Sequence, residues 1–255
     1  MNIFITGASS GIGTALTRHY AAQGARLGLV GRSRERMDAL VESLSADCTA
    51  YVVDVRDAEA LRRVAADFIG KYGAPDIVIA NAGVSRGTLT EHQEDIAAFH
   101  AIFDINVLGM VHTFQPFIAA MKQQGKGSLA GIASVAGLRG LPGAAAYSAS
   151  KAAAISYLES LRVELAGASI SVTTICPGYI KTPMTDVNPY SMPFLMDADA
   201  AARKMARAIE KKRRYVILPW QMAILGRFMK LIPARLWDWA MKHAPHKPRM
   251  EWDWL

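Results

Sequence analysis

The chain has 255 residues, 51% of them hydrophobic and 20% charged, enough to bury one large core in a single domain. Its net charge of +7 is uneven: residues 1–202 carry 16 Lys and Arg against 18 Asp and Glu, while residues 203–255 carry 13 against 4 and all five Trp. A near-neutral body with a basic end argues against a nucleic-acid-binding domain, and two widely separated cysteines exclude a disulfide framework or a cysteine metal site.

Cys48 and Cys176 are read as structural thiols in a reduced, cytoplasmic setting, and no metal is expected. Met1 runs straight into a strand-like segment, so no signal or transit peptide is expected. No apolar run is judged to reach the ~20 residues that span a bilayer.

Residues 2–6 read as a short buried strand, followed by Gly7-Ala8-Ser9-Ser10-Gly11-Ile12-Gly13 and an amphipathic helix to about Gln23. A strand, a glycine turn and a helix start make a phosphate cradle, because glycine admits close backbone approach and a helix N-terminus attracts anions. The spacing is G-x-x-x-G-x-G rather than G-x-G-x-x-G, and a tight turn without a ligand is the alternative. The second strand, Arg26 to Val30, ends in Gly31-Arg32-Ser33. An acid ~20 residues after the glycine loop would bind the ribose 2′-hydroxyl of NAD. Gly31 and Arg32 stand there instead, and an Arg suits a 2′-phosphate unless it is simply solvated. Arg34 and Arg36 add charge nearby or are plain helix-surface residues.

A helix from about Arg34 to Leu44 leads to a third strand, Ala50 to Val53, and to Asp54-Val55. Asp54 is placed to accept from an adenine amino group or to cap the helix beginning near Asp57, which runs to about Tyr72. A fourth strand, Asp76 to Ala80, ends in Asn81-Ala82-Gly83, at the carboxyl end where open parallel sheets place their ligands. A long helix, Glu94 to about Gln123, holds Asn106 near its middle. An Asn inside an apolar helix needs a partner, either backbone or a polar group beside Lys151.

The fifth strand, Ser128 to Ala133, ends at Ser134, and the loop Val135 to Ala146 leads to Tyr147-Ser148-Ala149-Ser150-Lys151. A helical segment, Ala152 to Leu165, follows. Four apart on a helix, the Tyr147 phenol and the Lys151 ammonium are neighbours. The cation is expected to favour phenolate and to move a group of pKa ~10 towards useful proton transfer. Ser134 offers its hydroxyl to a reacting oxygen. Strand six, Ile170 to Ile175, ends in Cys176-Pro177-Gly178. Tyr179 to Asp199 has no clear period and is rich in large apolar residues, among them Met184, Phe194 and Leu195, so a lid over an apolar substrate is expected. A helix (Ala198 to Lys211) and a seventh strand (Tyr215 to Leu218) complete an α/β fold with a doubly wound parallel sheet.

Taken together, Thr6-Gly7-Ala8-Ser9-Ser10-Gly11-Ile12-Gly13, Asp54, Asn81-Ala82-Gly83, Asn106, Ser134, Tyr147 with Lys151, and Pro177-Gly178 with Thr182 resemble the short-chain dehydrogenase/reductase family. The resemblance covers residues 2 to about 219 and each motif is weak singly; the set, in this order and spacing, is very specific. It implies a Rossmann-type sheet of seven strands with helices on both faces, and NAD(P)-dependent interconversion of an alcohol and a carbonyl. In that scheme Tyr147 exchanges a proton with the carbonyl oxygen and Ser134 holds the same oxygen. Lys151 binds the nicotinamide ribose and lowers the Tyr147 pKa, while Asn106 holds a water that links Lys151 to solvent. Gly7, Ser9, Ser10, Gly11, Ile12, Gly13, Asp54, Val55, Asn81, Ala82, Gly83, Pro177 and Gly178 belong to the cofactor site, and Ile180 and Thr182 contact the nicotinamide carboxamide. Arg32 resembles the residue of NADPH-preferring members, so NADP(H) is favoured over NAD(H). Members commonly form homodimers or homotetramers through the helices holding Asn106 and Tyr147. A non-catalytic nucleotide-binding regulator of the same fold is the alternative, against which the intact Ser134, Asn106, Tyr147 and Lys151 argue.

Residues 220–255 extend that plan. Met222, Leu225, Phe228 or Met229, and Ile232 recur at helical spacing with Arg227 and Lys230 between them. Pro233 is read as the first residue of another helix, which carries Leu236, Trp237, Trp239, Ala240 and Met241 beside Arg235 and Lys242. Basic, aromatic-rich amphipathic helices lie on anionic membrane surfaces. The alternative is that these helices pack on the body or on a partner subunit. The expected substrate is an apolar carbonyl or alcohol, lipid-like or steroid-like.

Overall fold

Strands and helices alternate from Asn2 onward in the computed structural model, which describes residues 1–249. In chain order they are β1 (Asn2–Thr6), α1 (Gly11–Ala21), β2 (Arg26–Gly31), α2 (Arg34–Glu42), β3 (Cys48–Val52), α3 (Ala58–Tyr72) and β4 (Ile77–Ala80). Then come α4 (Ile96–Phe103), α5 (Gly109–Gln124), β5 (Gly127–Ile132), α6 (Ala145–Glu164), β6 (Ile170–Pro177), β7 (Ile180–Lys181), α7 (Pro183–Asp186) and β8 (Met196–Asp197). The chain continues with α8 (Ala198–Glu210), β9 (Tyr215–Leu218), α9 (Trp220–Leu231) and α10 (Ala234–Met241).

Among the described residues, seven strands form one parallel sheet in the order β3-β2-β1-β4-β5-β6-β9. The Rossmann-type expectation is met. Strand alternation sorts the core onto two faces. Ile3 and Ile5 of β1 join Leu27, Leu29, Ile77 and Ile79 against α1 and α8. Phe4, between them, points the other way with Val78 and Leu129, towards α3, α5 and α6. There its ring lies 5.5 Å from Phe68 and 4.7 Å from Phe117. Such aromatic pairs add ~1 kcal/mol each beyond their burial. Strand order reverses between β1 and β4, and at such a switch the carboxyl ends of the strands open a crevice.

Two elements differ from the expectations above. The long helix around Asn106 is not uniform: a 3₁₀ turn (Gln93–Asp95) and α4 lead into a π-helical turn (Asp104–Leu108) before α5 begins. As a continuous stretch, Gln93–Gln124 is long and apolar enough by length and composition to cross a membrane, contrary to the sequence reading. Here it packs in the core, with Phe114, Phe117 and Met121 buried. The helix after the fifth strand begins at Ala145, so Tyr147 and Lys151 lie in its first two turns, as their i,i+4 relation required. The expected lid is partly ordered into regular structure, because β7 and β8 pair in parallel and Thr182 caps α7.

The carboxy-terminal segment folds back along the body. Arg139 donates from one guanidinium nitrogen to the carbonyls of Met229 (2.9 Å) and Ile232 (2.8 Å), and it lies over the Trp237 ring at 4.8 Å. In α9 the packing side holds Met222 and Gly226, while Trp220, Ile224, Phe228 and Leu231 are exposed. The apolar row expected at Leu225 and Phe228 is therefore displaced around the helix. Trp252 and Trp254 of the predicted extension lie outside the described residues.

Candidate active site

The glycine turn is held by close backbone contact. Gly7 and Gly11 have left-handed backbones (φ +67° and +51°), which glycine adopts without strain. A Cβ on Gly13 would sit 1.9 Å from the Gly7 carbonyl oxygen, so α1 approaches β1 this closely only with glycine there. Gly13 is thus a packing residue behind the loop and does not line the crevice. Asn81 braces the same turn from β4, its amide donating to the carbonyls of Thr6 (3.1 Å) and Gly7 (3.0 Å). Ser10 makes no side-chain cap on α1, whose start lines the cavity with the N–H groups that favour an anion at a helix end.

One cavity then collects almost every residue singled out in the sequence. Gly7, Ser9, Ser10, Gly11, Ile12, Arg32, Asp54, Val55, Asn81, Ala82, Gly83, Ser134, Tyr147, Lys151, Pro177, Gly178, Ile180 and Thr182 all line it. Only Gly13 and Asn106 stand behind the wall. The ends of six strands, β1 to β6, supply most of the set, as a crevice at the carboxyl edge of the sheet requires. Ser33, Arg36, Met184 and Thr185 line it as well and were not counted as site residues from the sequence.

At the β2 end, Asp54 is engaged by its neighbours. One carboxylate oxygen accepts the Arg56 backbone N–H (2.9 Å), and the other accepts from the Arg56 guanidinium (2.8 and 3.1 Å), with Arg32 3.9 Å away. Burial pushes its carboxyl up, but the Arg56 bonds outweigh that and hold it below the usual range. Asp54 does not cap the next helix. Asp57 does, accepting from the Ala60 N–H. Arg32 and Arg36 make this end of the cavity cationic.

At the β5 end the reactive groups converge. Ser134 sits where β5 finishes, its Oγ accepting the Ala136 N–H at 3.1 Å. The buried Lys151 Nζ donates to the Ile132 carbonyl at 2.9 Å and lies 5.8 Å from the Tyr147 ring centre. Burial lowers the Lys151 pKa to about 8. The Tyr147 phenol moves the opposite way from the sequence expectation: burial raises its pKa, and the Ser134 hydroxyl opposes this only in part. Gly83 closes the gap between these groups, since a Cβ there would lie 3.1 Å from Asn106 Oδ1 and 3.4 Å from Lys151 Nζ.

Asn106 is wholly buried in the π turn. Its Oδ1 accepts the Val84 N–H (2.8 Å), and its amide donates to the Val84 carbonyl (3.0 Å) and to Ser150 Oγ (3.0 Å). Ser150 in turn donates to the Tyr147 carbonyl at 2.8 Å. Of the alternatives weighed for Asn106, these bonds are the backbone one, made on the far side of Gly83 from Lys151. A π turn at this point marks a place where helix regularity yields to a local demand.

The loops framing the open side are tied together in a way the sequence did not disclose. Thr88 donates its N–H to the Gly143 carbonyl (3.0 Å) and accepts the Ala146 N–H (3.3 Å), fixing the loop before Tyr147. Residues 246–249 cross this region as a strap. Gly87 N–H donates to the Pro248 carbonyl (3.0 Å), and Lys247 Nζ donates to the Met184 carbonyl (3.1 Å). Arg249 forks onto the buried Asp95 (2.9 and 3.1 Å) and reaches Glu94 (2.8 Å), with Arg86 at 3.7 Å from Asp95. Asp95 also accepts the Leu89 N–H at 2.8 Å. The sequence analysis did not single out Asp95. Nothing local marks its partner 154 residues away.

Comparison with known proteins places these features in a group. Residues 1–190 match the family model described as short chain dehydrogenase. An uncharacterized oxidoreductase of Myxococcus xanthus is 39% identical over 242 residues, covering 93% of this chain and 95% of that one. A short-chain dehydrogenase from Streptomyces avermitilis superposes with a TM-score of 0.81 at 27% identity, covering 94% of this chain and 96% of that one. An alcohol dehydrogenase from the archaeon Thermococcus sibiricus, solved with 5-hydroxy-NADP, gives a TM-score of 0.74 at 26% identity, with 85% of this chain and 95% of that chain covered.

Proposed function

Since the chain belongs to the short-chain dehydrogenase family and is an NAD(P)-dependent oxidoreductase, we propose that it reduces an apolar ketone or aldehyde with NADPH, through Tyr147, Ser134 and Lys151. The observation that carries this is the continuity of the cavity, from Arg32 and the start of α1 to the Ser134 and Tyr147 hydroxyls. The donor set fits a dinucleotide: N–H groups at a helix start suit its diphosphate, Arg32 and Arg36 suit a 2′-phosphate, and Lys151 suits a ribose hydroxyl. When bound, the nicotinamide supplies or accepts the hydride.

The protein's own work is proton delivery and positioning. A phenol, with an ordinary pKa near ~10, is protonated at neutral pH, so in reduction Tyr147 is the proton donor to the substrate oxygen. Ser134, 8% exposed, holds the substrate oxygen against that phenol. The Lys151 ammonium favours the phenolate left after transfer, and its bond to Ile132 keeps it in place. Asn106, through Val84 and Ser150, positions the start of α6. The apolar side chains between β7 and β8, with Phe194 and Leu195 exposed, suit a substrate of lipid-like or steroid-like character.

The same reading carries two associations. Exposed Leu108 and Val163, on the helices that bear Asn106 and Tyr147, support a homodimer or homotetramer. The exposed apolar and basic side chains of α9 and α10 support peripheral membrane contact, and the free thiols Cys48 and Cys176 suit a reducing cytoplasm.

The test is Tyr147→Phe assayed with NADPH on a panel of medium-chain ketones, aldehydes, 3-oxoacyl thioesters and steroids. Turnover should fall by about 10²–10⁴-fold with NADPH affinity retained, because the ring still packs while the donor is gone. Near-wild-type turnover in the variant would sink the mechanism. Persistent absence of turnover in the wild type across the panel would favour the non-catalytic regulator.

A further inference from the structure

Away from the cofactor crevice, a cavity of about 660 Å³ lies between the end of α8, β9 and α9. Lys204, Arg207, Lys211, Arg213, Arg227 and Lys230 line it, and no acidic side chain does. Among the described residues none of these six takes part in an ion pair or a side-chain hydrogen bond. Six like charges around one hollow repel each other, a cost that an anionic occupant removes. Nothing in the hydride chemistry uses this cavity.

Beside it α9 carries an exposed apolar row. Trp220, Ile224, Phe228 and Leu231 recur at steps of four, four and three, on one face of the helix, and are 65%, 46%, 64% and 78% exposed. The opposite face is the packed one, where a Cβ on Gly226 would lie 2.5 Å from Leu138. Arg227 and Lys230 stand on the flank that lines the cavity. In α10, Leu236 and Trp239 add further exposed apolar surface. A cationic hollow and a bare apolar row therefore share one edge of the molecule. Leu138, from the loop that leads to Tyr147, forms part of the cavity wall.

We propose that this cavity seats the phosphate headgroup of an anionic phospholipid while the apolar row of α9 enters the acyl boundary next to it. The inference rests on the membrane contact proposed above and names its ligand and its seat. An acidic protein surface would complement the cations but leave Trp220, Phe228 and Leu231 without a dry environment. A phospholipid offers both halves in one molecule, the phosphate for guanidinium and ammonium donors and the chains for the row.

The experiment is co-sedimentation of the full chain with two vesicle preparations at low salt, phosphatidylglycerol mixed into phosphatidylcholine and phosphatidylcholine alone. The wild type should bind the first at least tenfold more tightly. Lys204→Ala/Arg207→Ala/Lys211→Ala, on the wall opposite α9, should weaken that binding on the order of a hundredfold, at ~1 kcal/mol for each cation removed. Its NADPH dissociation constant should not change. Phe228→Ser should weaken binding to both vesicles. If Phe228→Ser loses binding and the triple variant keeps it, the cavity is not the headgroup seat, although the membrane contact stands. If the wild type binds neither vesicle, the membrane contact and the headgroup seat fall together. Inorganic phosphate that raises the melting temperature of the wild type and not of the triple variant, without any vesicle binding, would assign the cavity to a soluble phosphate and overturn the lipid.

Discussion

The cofactor crevice and the carboxy-terminal segment are held together by different kinds of contact. Around the crevice the decisive contacts are between backbones: Gly13 against the Gly7 carbonyl, Asn81 onto Thr6 and Gly7, and strand ends converging at a topological switch. In residues 220–249 the decisive contacts are long side chains reaching across the sequence, Arg139 to the carbonyls of α9 and Arg249 to Asp95. The first kind leaves no room for an added atom. The second adds charges and hydrogen bonds that are lost when either partner is cut, beside one backbone approach as close as that at Gly13, where a Cβ on Gly87 would lie 2.0 Å from the Lys247 carbonyl oxygen. Substitutions in the two regions should therefore fail differently, the first by steric exclusion that removes the cofactor, the second by loss of stability with the cofactor still bound.

The largest effect is expected at Gly13. Valine there would place carbon 1.9 Å from a carbonyl oxygen that cannot move without shifting β1. Gly13→Val should cost on the order of 4 kcal/mol or more and abolish NADPH binding, read by thermal melting and fluorescence titration. A variant that melts and binds like the wild type would show that α1 is free to shift, and the contrast between the regions would collapse.

Next is Asp95, whose buried carboxylate meets Arg249, Arg86 and the Leu89 N–H. Asp95→Ala removes the buried carboxylate that Arg249 and Arg86 share, leaving Arg249 its bond to Glu94, and should cost ~3 kcal/mol in urea unfolding. NADPH affinity should stay within a factor of two to three of the wild type (~0.5 kcal/mol). A collapse of cofactor affinity would mean that the strap and the crevice are one unit.

Arg32 sharpens the comparison from inside the crevice, because here a side chain and not the backbone sets the outcome. Loss of one charge-assisted pair is worth about 1.5–3 kcal/mol, so Arg32→Asp should weaken NADPH binding ten- to a hundredfold and reverse the preference over NADH. Equal dissociation constants for the two cofactors in the wild type would reduce Arg32 to a surface residue.

The smallest expected effect is the pH dependence contributed by Lys151. Its folded pKa of about 8 lies below its ordinary value, so the ammonium discharges as pH rises through about 8. NADPH affinity should decline across that range, by less than tenfold (~1 kcal/mol), and Lys151→Met should flatten the profile. For stability the sign is opposite. Between pH 8 and the ordinary lysine value near 10.4 the unfolded chain holds more protons at this site, so its contribution to stability rises with pH. An affinity that is flat from pH 7 to 9 in the wild type would show that the ammonium does not reach the cofactor.

How far each region could be read in the sequence follows from the same distinction. Backbone turns at strand ends require particular residues at fixed offsets, so Gly7, Gly11, Asn81 and Ser134 could be placed on the cavity wall from spacing and alternation. Where the outcome depends on how deeply a group is buried, spacing was no guide. The i,i+4 relation of Tyr147 and Lys151 correctly implied proximity but could not disclose burial, which raises the phenol's pKa against the opposing Ser134 hydroxyl. The π turn at Asn106 was equally hidden, since its cause is the Val84 backbone 22 residues away. In the carboxy-terminal segment, periodicity found the helices but did not show which apolar residues of α9 pack and which are exposed. The face that packs there is chosen by Leu138 beneath Gly226, a contact that no local pattern announces.

The strap has a consequence for the order in which the protein becomes complete. Every residue that lines the cofactor cavity lies at or before position 185, and the sheet is finished when β9 pairs with β6. Residues 246–249 leave the ribosome after all of these, and they tie the loops around Gly87, Gly143 and Met184. Synthesis delivers the chain from its amino end, so the residues of that cavity are made before those that fasten the loops on its open side. The two walls thus differ in chain order: the residues of the first cavity all precede the strap, whose Arg249 reaches back 154 residues to Asp95.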